Sequence, residues 1–160
     1  MNRNLKRQRG VAAVEFGILL IPLLMIAFGT TEFGRAIYQY NTLAKATRDA
    51  TRFLSRHDST AADYPVDEAR CLVVYGKDCN GSTAVPLVPG LTTDMVRICD
   101  RSNAANCPGE SFSAVDTGSG VINLVKVKIS GYQFTSLVPF VTGFTTITFG
   151  DIGTTMRQVL

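Results

Sequence analysis

Tryptophan is absent from this 160-residue chain, and histidine occurs once, at His57. A lone imidazole excludes histidine-rich metal centres. With no G-x-S-x-G run either, no nucleophile–base pair of the hydrolase kind is legible. No period of 20–50 residues, sustained heptad array or collagen-like triplet runs through the sequence, so solenoid, coiled-coil and fibrous classes are excluded. Charged side chains are sparse, 18% against 46% apolar, which is a globular balance and not that of a disordered tail. The length suits one modest domain and is too short for two. No acidic residue precedes Glu15, whereas residues 1–10 hold Arg3, Lys6, Arg7 and Arg9. That tag accounts for the net +3, because residues 11–160 carry 12 basic and 13 acidic side chains. The later cations are scattered among acids rather than gathered on one face, so no nucleic-acid partner is expected.

Charged and hydrogen-bonding side chains are missing altogether from Phe16 to Gly29. Val11–Thr31 offers 21 residues with Glu15 as its single charge. A hydrocarbon core of ~30 Å is crossed by about 20 mostly apolar residues in a helix. Residues 11–31 therefore read as a transmembrane helix and residues 1–10 as a cytoplasmic basic leader. The four upstream cations orient the chain so that its C-terminal bulk is exported.

Three readings compete for this segment. One is a plain single-pass anchor. A second is a secretory signal peptide with a small-x-small exit at Ala27-Phe28-Gly29. The third is a short basic leader cut after Gly10, which makes Val11 the first mature residue and Glu15 the fifth. Glu15 favours the third. A carboxylate in an apolar span costs ~2.5–3.5 kcal/mol on insertion scales, and neither an anchor nor a signal peptide has a use for it. Cutting after Gly10 creates an α-ammonium on Val11 at membrane depth. Glu15 of a neighbouring subunit, or of the same helix one turn on, can pair with it. The acid then sets the axial stagger between packed helices. The bland alternative is a residue near the helix end that snorkels to the headgroups.

The helical pattern continues past the span. Thr31 to Arg56 contains no proline, and Phe33, Ile37, Tyr40, Leu43 or Ala44, Thr47, Ala50 or Thr51, and Leu54 recur every three or four residues. Val11–Ser55 would be one helix of 45 residues, ~67 Å long. Pro22 predicts a kink, and Gly17, Gly29 and Gly34 would let other helices approach closely.

Several features of this stretch occur together: Arg9-Gly10, the run Ala12-Ala13-Val14-Glu15-Phe16, Pro22 after the first apolar block, Glu32-Phe33-Gly34-Arg35, Tyr38-Gln39-Tyr40-Asn41 and the Ala/Arg-rich Ala46–Arg52. Residues 9–53 thereby resemble the start of TadE-like pseudopilins, minor components of tight-adherence (Flp-type) type IV pili. Asp49-Ala50-Thr51-Arg52 departs from the Glu-Gly-Ala-Arg type of sequence that often ends this helix in the family. The resemblance implies processing by a dedicated prepilin peptidase, and as further partners a major pilin, other pseudopilins and an inner-membrane assembly platform. It also implies a bacterial inner-membrane location with the C-terminal domain periplasmic, possible incorporation into the extracellular pilus, and a role in adhesion.

Residues 56–160 carry 8 basic and 10 acidic side chains and many turn residues. Strands are predicted over Arg70–Tyr75, Asp94–Cys99, Val121–Phe134 and Phe144–Phe149, with loops over Gly76–Gly90 and Asp100–Gly120. Within Val121–Phe134, Val125, Val127 and Ile129 alternate with Lys126, Lys128 and Ser130, the mark of a half-buried antiparallel strand. The expected fold class is α+β: a long helix, 11–31 transmembrane and 32–55 exposed beyond it, packed on a small disulfide-bonded antiparallel sheet in a pilin-like arrangement. Cys71, Cys79, Cys99 and Cys107 all lie beyond the span, and an even count in an exported domain reads as two disulfides. Three connectivities are open. The local pairs Cys71–Cys79 and Cys99–Cys107 are favoured because each pins a loop to the end of a strand. The C-x7-C spacing does not suit zinc, and no cofactor is expected.

Val115-Asp116-Thr117-Gly118-Ser119 contains the tetrapeptide of aspartic proteases, but that chemistry needs a second carboxylate loop, and the glycines around it read as a turn. Asn80-Gly81-Ser82 spells a glycosylation tripeptide but is read in preference as a turn. His57 is expected to be solvated at the helix C-terminus. The chain is thus expected to be a structural assembly protein and not an enzyme. The competing expectations are an uncleaved, membrane-anchored periplasmic binding or scaffold protein and, more distantly, an anchored hydrolase.

Overall fold

The computed structural model describes residues 8–77, 79 and 85–159. Arg3, Lys6, Arg7 and the Asn80-Gly81-Ser82 tripeptide lie outside them. One long helix, α1 (Gln8–Leu54), opens the described chain and continues through Pro22. The chain divides into two compact units. One holds the described residues up to Ala36 together with Thr135–Ile147; the other holds those of Ile37–Phe134 and of 148–159.

In the larger unit the end of α1 packs against a second helix and a sheet. Leu43, Ala46, Ala50 and Leu54 are buried at helical spacing among Ala69, Val73 and Val74 of α2 (Val66–Tyr75) and the sheet residues below. α2 occupies the stretch read from sequence as the strand Arg70–Tyr75, and that reading is corrected. Asp67 and Glu68 in its first turn suit the positive end of a helix. Gly76, at φ +70°, ends it by donating its backbone N–H to Leu72 O at 3.0 Å. A short apolar run rich in valine is ambiguous between buried strand and buried helix; here the acidic start and glycine stop decide.

The sheet is built around β3 (Val121–Ile129), which pairs antiparallel with β1 (Val96–Cys99), β2 (Val115–Asp116) and β6 (Ile152–Gln158). Val125, Val127 and Ile129 are buried. On the other face Lys126 Nζ lies 2.7 Å from Glu110 and Lys128 Nζ lies 3.1 Å from Asp151. Lys128, with Ser130, holds the Asp151 carboxyl below its ordinary range. The predicted strand 121–134 breaks after Ile129, where Gly131 takes φ +74° and Tyr132 turns inward. There the Tyr132 hydroxyl lies 2.8 Å from Gln39 Oε1 and 3.0 Å from Pro89 O. β6 alternates between inward Ile152, Thr154, Met156 and Gln158 and exposed Gly153, Thr155 and Arg157, yet with polar residues on both faces nothing in the sequence marked it as a strand. It lies against small side chains of α1: Thr51 Oγ1 is 3.2 Å from Thr154 O, and the Val159 N–H donates to Ser55 O at 2.9 Å.

The buried stripe of α1 differs from the predicted one. Phe33, Ile37 and Tyr40 are 68%, 45% and 47% exposed, whereas Glu32 and Gln39 are buried. Polar partners explain the exchange: Gln39 meets the Tyr132 hydroxyl, and Glu32 meets the cation and amide described below. His57 is also half-buried and not solvated. Its Nδ1 lies 3.0 Å from Phe53 O and its ring packs on Phe53.

In the smaller unit the apolar side chains of α1 point outward all round; Phe16, Ile18, Leu19, Ile21 and Ile26 are each at least 60% exposed. Its other part is an excursion from the sheet domain. β4 (Gln133–Thr135) and β5 (Thr146–Thr148) pair with each other. Between them a single helical turn, α3 (Pro139–Thr142), ends at Gly143 with φ +76°. The predicted strand Phe144–Phe149 shrinks to the three residues of β5.

Gly153 gives a direct test of the sheet register. A Cβ placed there would meet Lys128 Cβ at 2.8 Å and Val127 O at 3.1 Å, whereas one at Gly150 meets nothing within 4 Å. Gly153→Ala should cost about 1–3 kcal/mol by overpacking, read by denaturant unfolding of the full chain in detergent micelles. Gly150→Ala should leave the midpoint in place.

Candidate processing and assembly site

Gly10, Val11 and Glu15 lie in the first turns of α1, all three exposed. Val11 and Glu15 are four residues apart and so share one face, about 6 Å apart along the axis. No side chain other than Glu15 is charged from Gly10 to Thr31. In the intact chain the Val11 nitrogen is an uncharged helical amide.

Sequence reasoning missed a second carboxylate. Glu32 is 4% exposed. Its oxygens accept hydrogen bonds from Arg35 Nε at 3.2 Å and from a terminal Arg35 nitrogen at 2.9 Å. The Leu137 backbone N–H donates to the same carboxylate at 3.0 Å, and Arg35 also donates to Thr135 O. A buried, bidentate pair with an extra amide donor satisfies the carboxylate that an apolar contact would leave costly. The effect is to fasten the 135–138 backbone to α1. The signal in the sequence was the Glu32/Arg35 spacing of three, which aligns an ion pair on one helical face; that pair was read only as part of a family motif.

The cysteines lie in the other unit. Cys71 is joined to Cys79, and Cys99 to Cys107, with Cα separations of 5.4 and 5.9 Å. The first bond starts within α2 rather than at the strand end the sequence suggested. Beside the second, the Asp100 carboxylate is fully buried and accepts the backbone N–H groups of Ser102 and Asn103, each at 2.8 Å. Burial, with Asp100 nearby, raises the Tyr64 phenol above its ordinary value. These bonds fix the 100–107 loop. Asp116, in the protease-like tetrapeptide, is exposed and closes the turn between β2 and β3, accepting the Gly118 N–H at 2.8 Å. Among the described residues no group of three His, Cys, Asp or Glu side chains could hold a metal ion.

Residues 10–52 match the family model of TadE-like protein. The TadE-like segment is α1 itself, from the glycine of the candidate cut to Arg52, and it includes Glu15, Glu32 and Arg35. It coincides with the stretch whose motifs carried the resemblance. No curated protein and no solved structure matches the chain. α1 is long and apolar enough to cross a membrane, which fits a membrane anchor.

The role of Glu32 is open to measurement. Glu32→Ala removes the acceptor of the Leu137 N–H and the carboxylate partner of Arg35, at a local cost of about 1–3 kcal/mol. Amide exchange at Leu137 should accelerate accordingly, whereas Glu15→Ala should leave that amide unchanged.

Proposed function

We propose that this chain is a pseudopilin: a minor subunit of a tight-adherence type IV pilus, cut after Gly10 by a prepilin peptidase and assembled through its N-terminal helix. One observation carries the reading. Glu15 is the single charge in the outward-facing stretch of α1 from Gly10 to Thr31, within the TadE-like segment and five residues after Gly10. A carboxylate in such a place is stabilised by an ammonium, and removal of the leader creates one on Val11.

In this reading the mature subunit waits in the bacterial inner membrane with its disulfide-bonded domain in the periplasm. Cys71, Cys79, Cys99 and Cys107 staple that domain, whose small core gains from loop closure. Outward-facing apolar side chains then pack against the helices of a major pilin and sibling pseudopilins at an inner-membrane platform. Gly17, Gly29 and Gly34, with open space around each Cα, admit close helix contacts. Glu15 sets the stagger by pairing with the Val11 ammonium of a neighbour. The role is structural and not enzymatic.

The N-terminus of the membrane-extracted protein decides between this and an uncleaved anchor. Sequencing or intact mass should give a chain starting at Val11; a start at Met1 in cells with an active prepilin peptidase would overturn the proposal. Gly10→Leu should insert normally and remain unprocessed. Glu15→Leu should insert and be cut, yet be lost from sheared pili, and its normal incorporation would sink the register role.

A further inference from the structure

We infer that the Thr135–Ile147 excursion is a second membrane contact, with Leu137 and Phe140 dipping into the headgroup–acyl boundary of the leaflet where α1 leaves the bilayer. The inference rests on the reading of residues 11–31 as a membrane span.

Three observations lead there. The excursion is fastened to the residue that ends the apolar run: Thr31 is the last residue of the span, and the Glu32 carboxylate holds the Leu137 N–H. Its large apolar side chains face outward; Phe140 is 99% exposed and Leu137 74%. No charged residue occurs from Ile129 to Gly150. An exposed loop of that length in water is normally broken by charges, and a lipid surface is the environment in which their absence carries no penalty.

The depth is set by the polar groups. Ser136 and Thr142 hydroxyls lie 3.2 Å apart, the Ser136 N–H donates to Thr145 O, and α3 is a single turn whose Val141 and Thr142 amides both close back on Val138 O, a helix too short to pair the polar backbone groups at both of its ends. Such a backbone belongs in the hydrated interface and not in hydrocarbon. Phenylalanine and leucine on a short turn suit that layer. A protein partner is the weaker occupant. Two side chains on one turn offer a few hundred Å2 at most, well under the ~800 Å2 per partner of a stable interface, whereas a membrane is already supplied by α1. Arg35 and Glu32 thus have a purpose beyond packing: they hold the excursion at the height of the span's end.

The absence of tryptophan makes the test clean. Full-length chains carrying one tryptophan each, Phe140→Trp, Leu137→Trp, Ile21→Trp or Val121→Trp, are reconstituted into phosphatidylethanolamine/phosphatidylglycerol vesicles. Quenching is read with lipids spin-labelled near the headgroup or near the chain end. Phe140→Trp and Leu137→Trp should emit blue-shifted light and lose it chiefly to the shallow label, Ile21→Trp should lose it to the deep label, and Val121→Trp, exposed in the other unit, to neither. Solvent-like, unquenched emission from both loop variants while Ile21→Trp is quenched overturns the second contact and leaves the span intact. An unquenched Ile21→Trp overturns the span and the inference with it. Blue-shifted loop emission that no lipid label quenches assigns the patch to protein and also overturns it.

Discussion

A single helix has to satisfy two different surroundings, and this constraint governs the rest of the chain. Up to Thr31, α1 presents apolar side chains in every direction, a pattern stable only where water is absent on all sides. From Leu43 to Leu54 it presents one buried stripe among the helix and strands of its own unit. No break in backbone separates the two regimes. What changes is the side-chain chemistry, and the buried Glu32 and Gln39 mark where uniform apolarity gives way to specific polar partners.

That change also explains why small and hydroxyl-bearing residues fill the stripe near the end of α1. Ala46, Thr47, Ala50 and Thr51 are buried where β6 runs close by, and Thr51 reaches Thr154 O. Larger side chains would hold the strand away and leave its carbonyl groups without partners. Around this junction the core remains small, and two disulfides with the buried Asp100 turn replace area that a domain of this size lacks.

Much of this was legible in the sequence, for identifiable reasons. The apolar run of α1, the length of that helix and the central strand β3 follow from long, regular patterns, in which each additional residue reinforces the same period. The elements read wrongly or not at all are short. The run Arg70–Tyr75 fits strand and helix alike until the acidic start of α2 and its Gly76 stop are weighed. β6 alternates in burial, but its inward positions include Thr154 and Gln158 and its outward ones Gly153, so no apolar–polar pattern shows in the sequence. Phe33, Ile37 and Tyr40 were placed on the amphipathic stripe by their spacing of three or four, and the structure buries Glu32 and Gln39 and leaves those three exposed. Of the candidate site, Gly10, Val11 and Glu15 were visible as a spacing, since their chemistry depends on chain order. The Glu32 clamp was not, since half of it is a backbone amide 105 positions away.

By itself the sequence determined that an uncharged stretch long enough to cross a bilayer leads an otherwise near-neutral chain, and that one carboxylate interrupts it a fixed step from a glycine. Those are properties of covalent order and composition, and no folding alters them. Tertiary structure alone decided which polar residues are buried, where Thr135–Ile147 is fastened, and that its apolar side chains face outward. Burial and hydrogen bonding between segments a hundred residues apart arise only when the chain brings them together, and no local pattern encodes such a meeting.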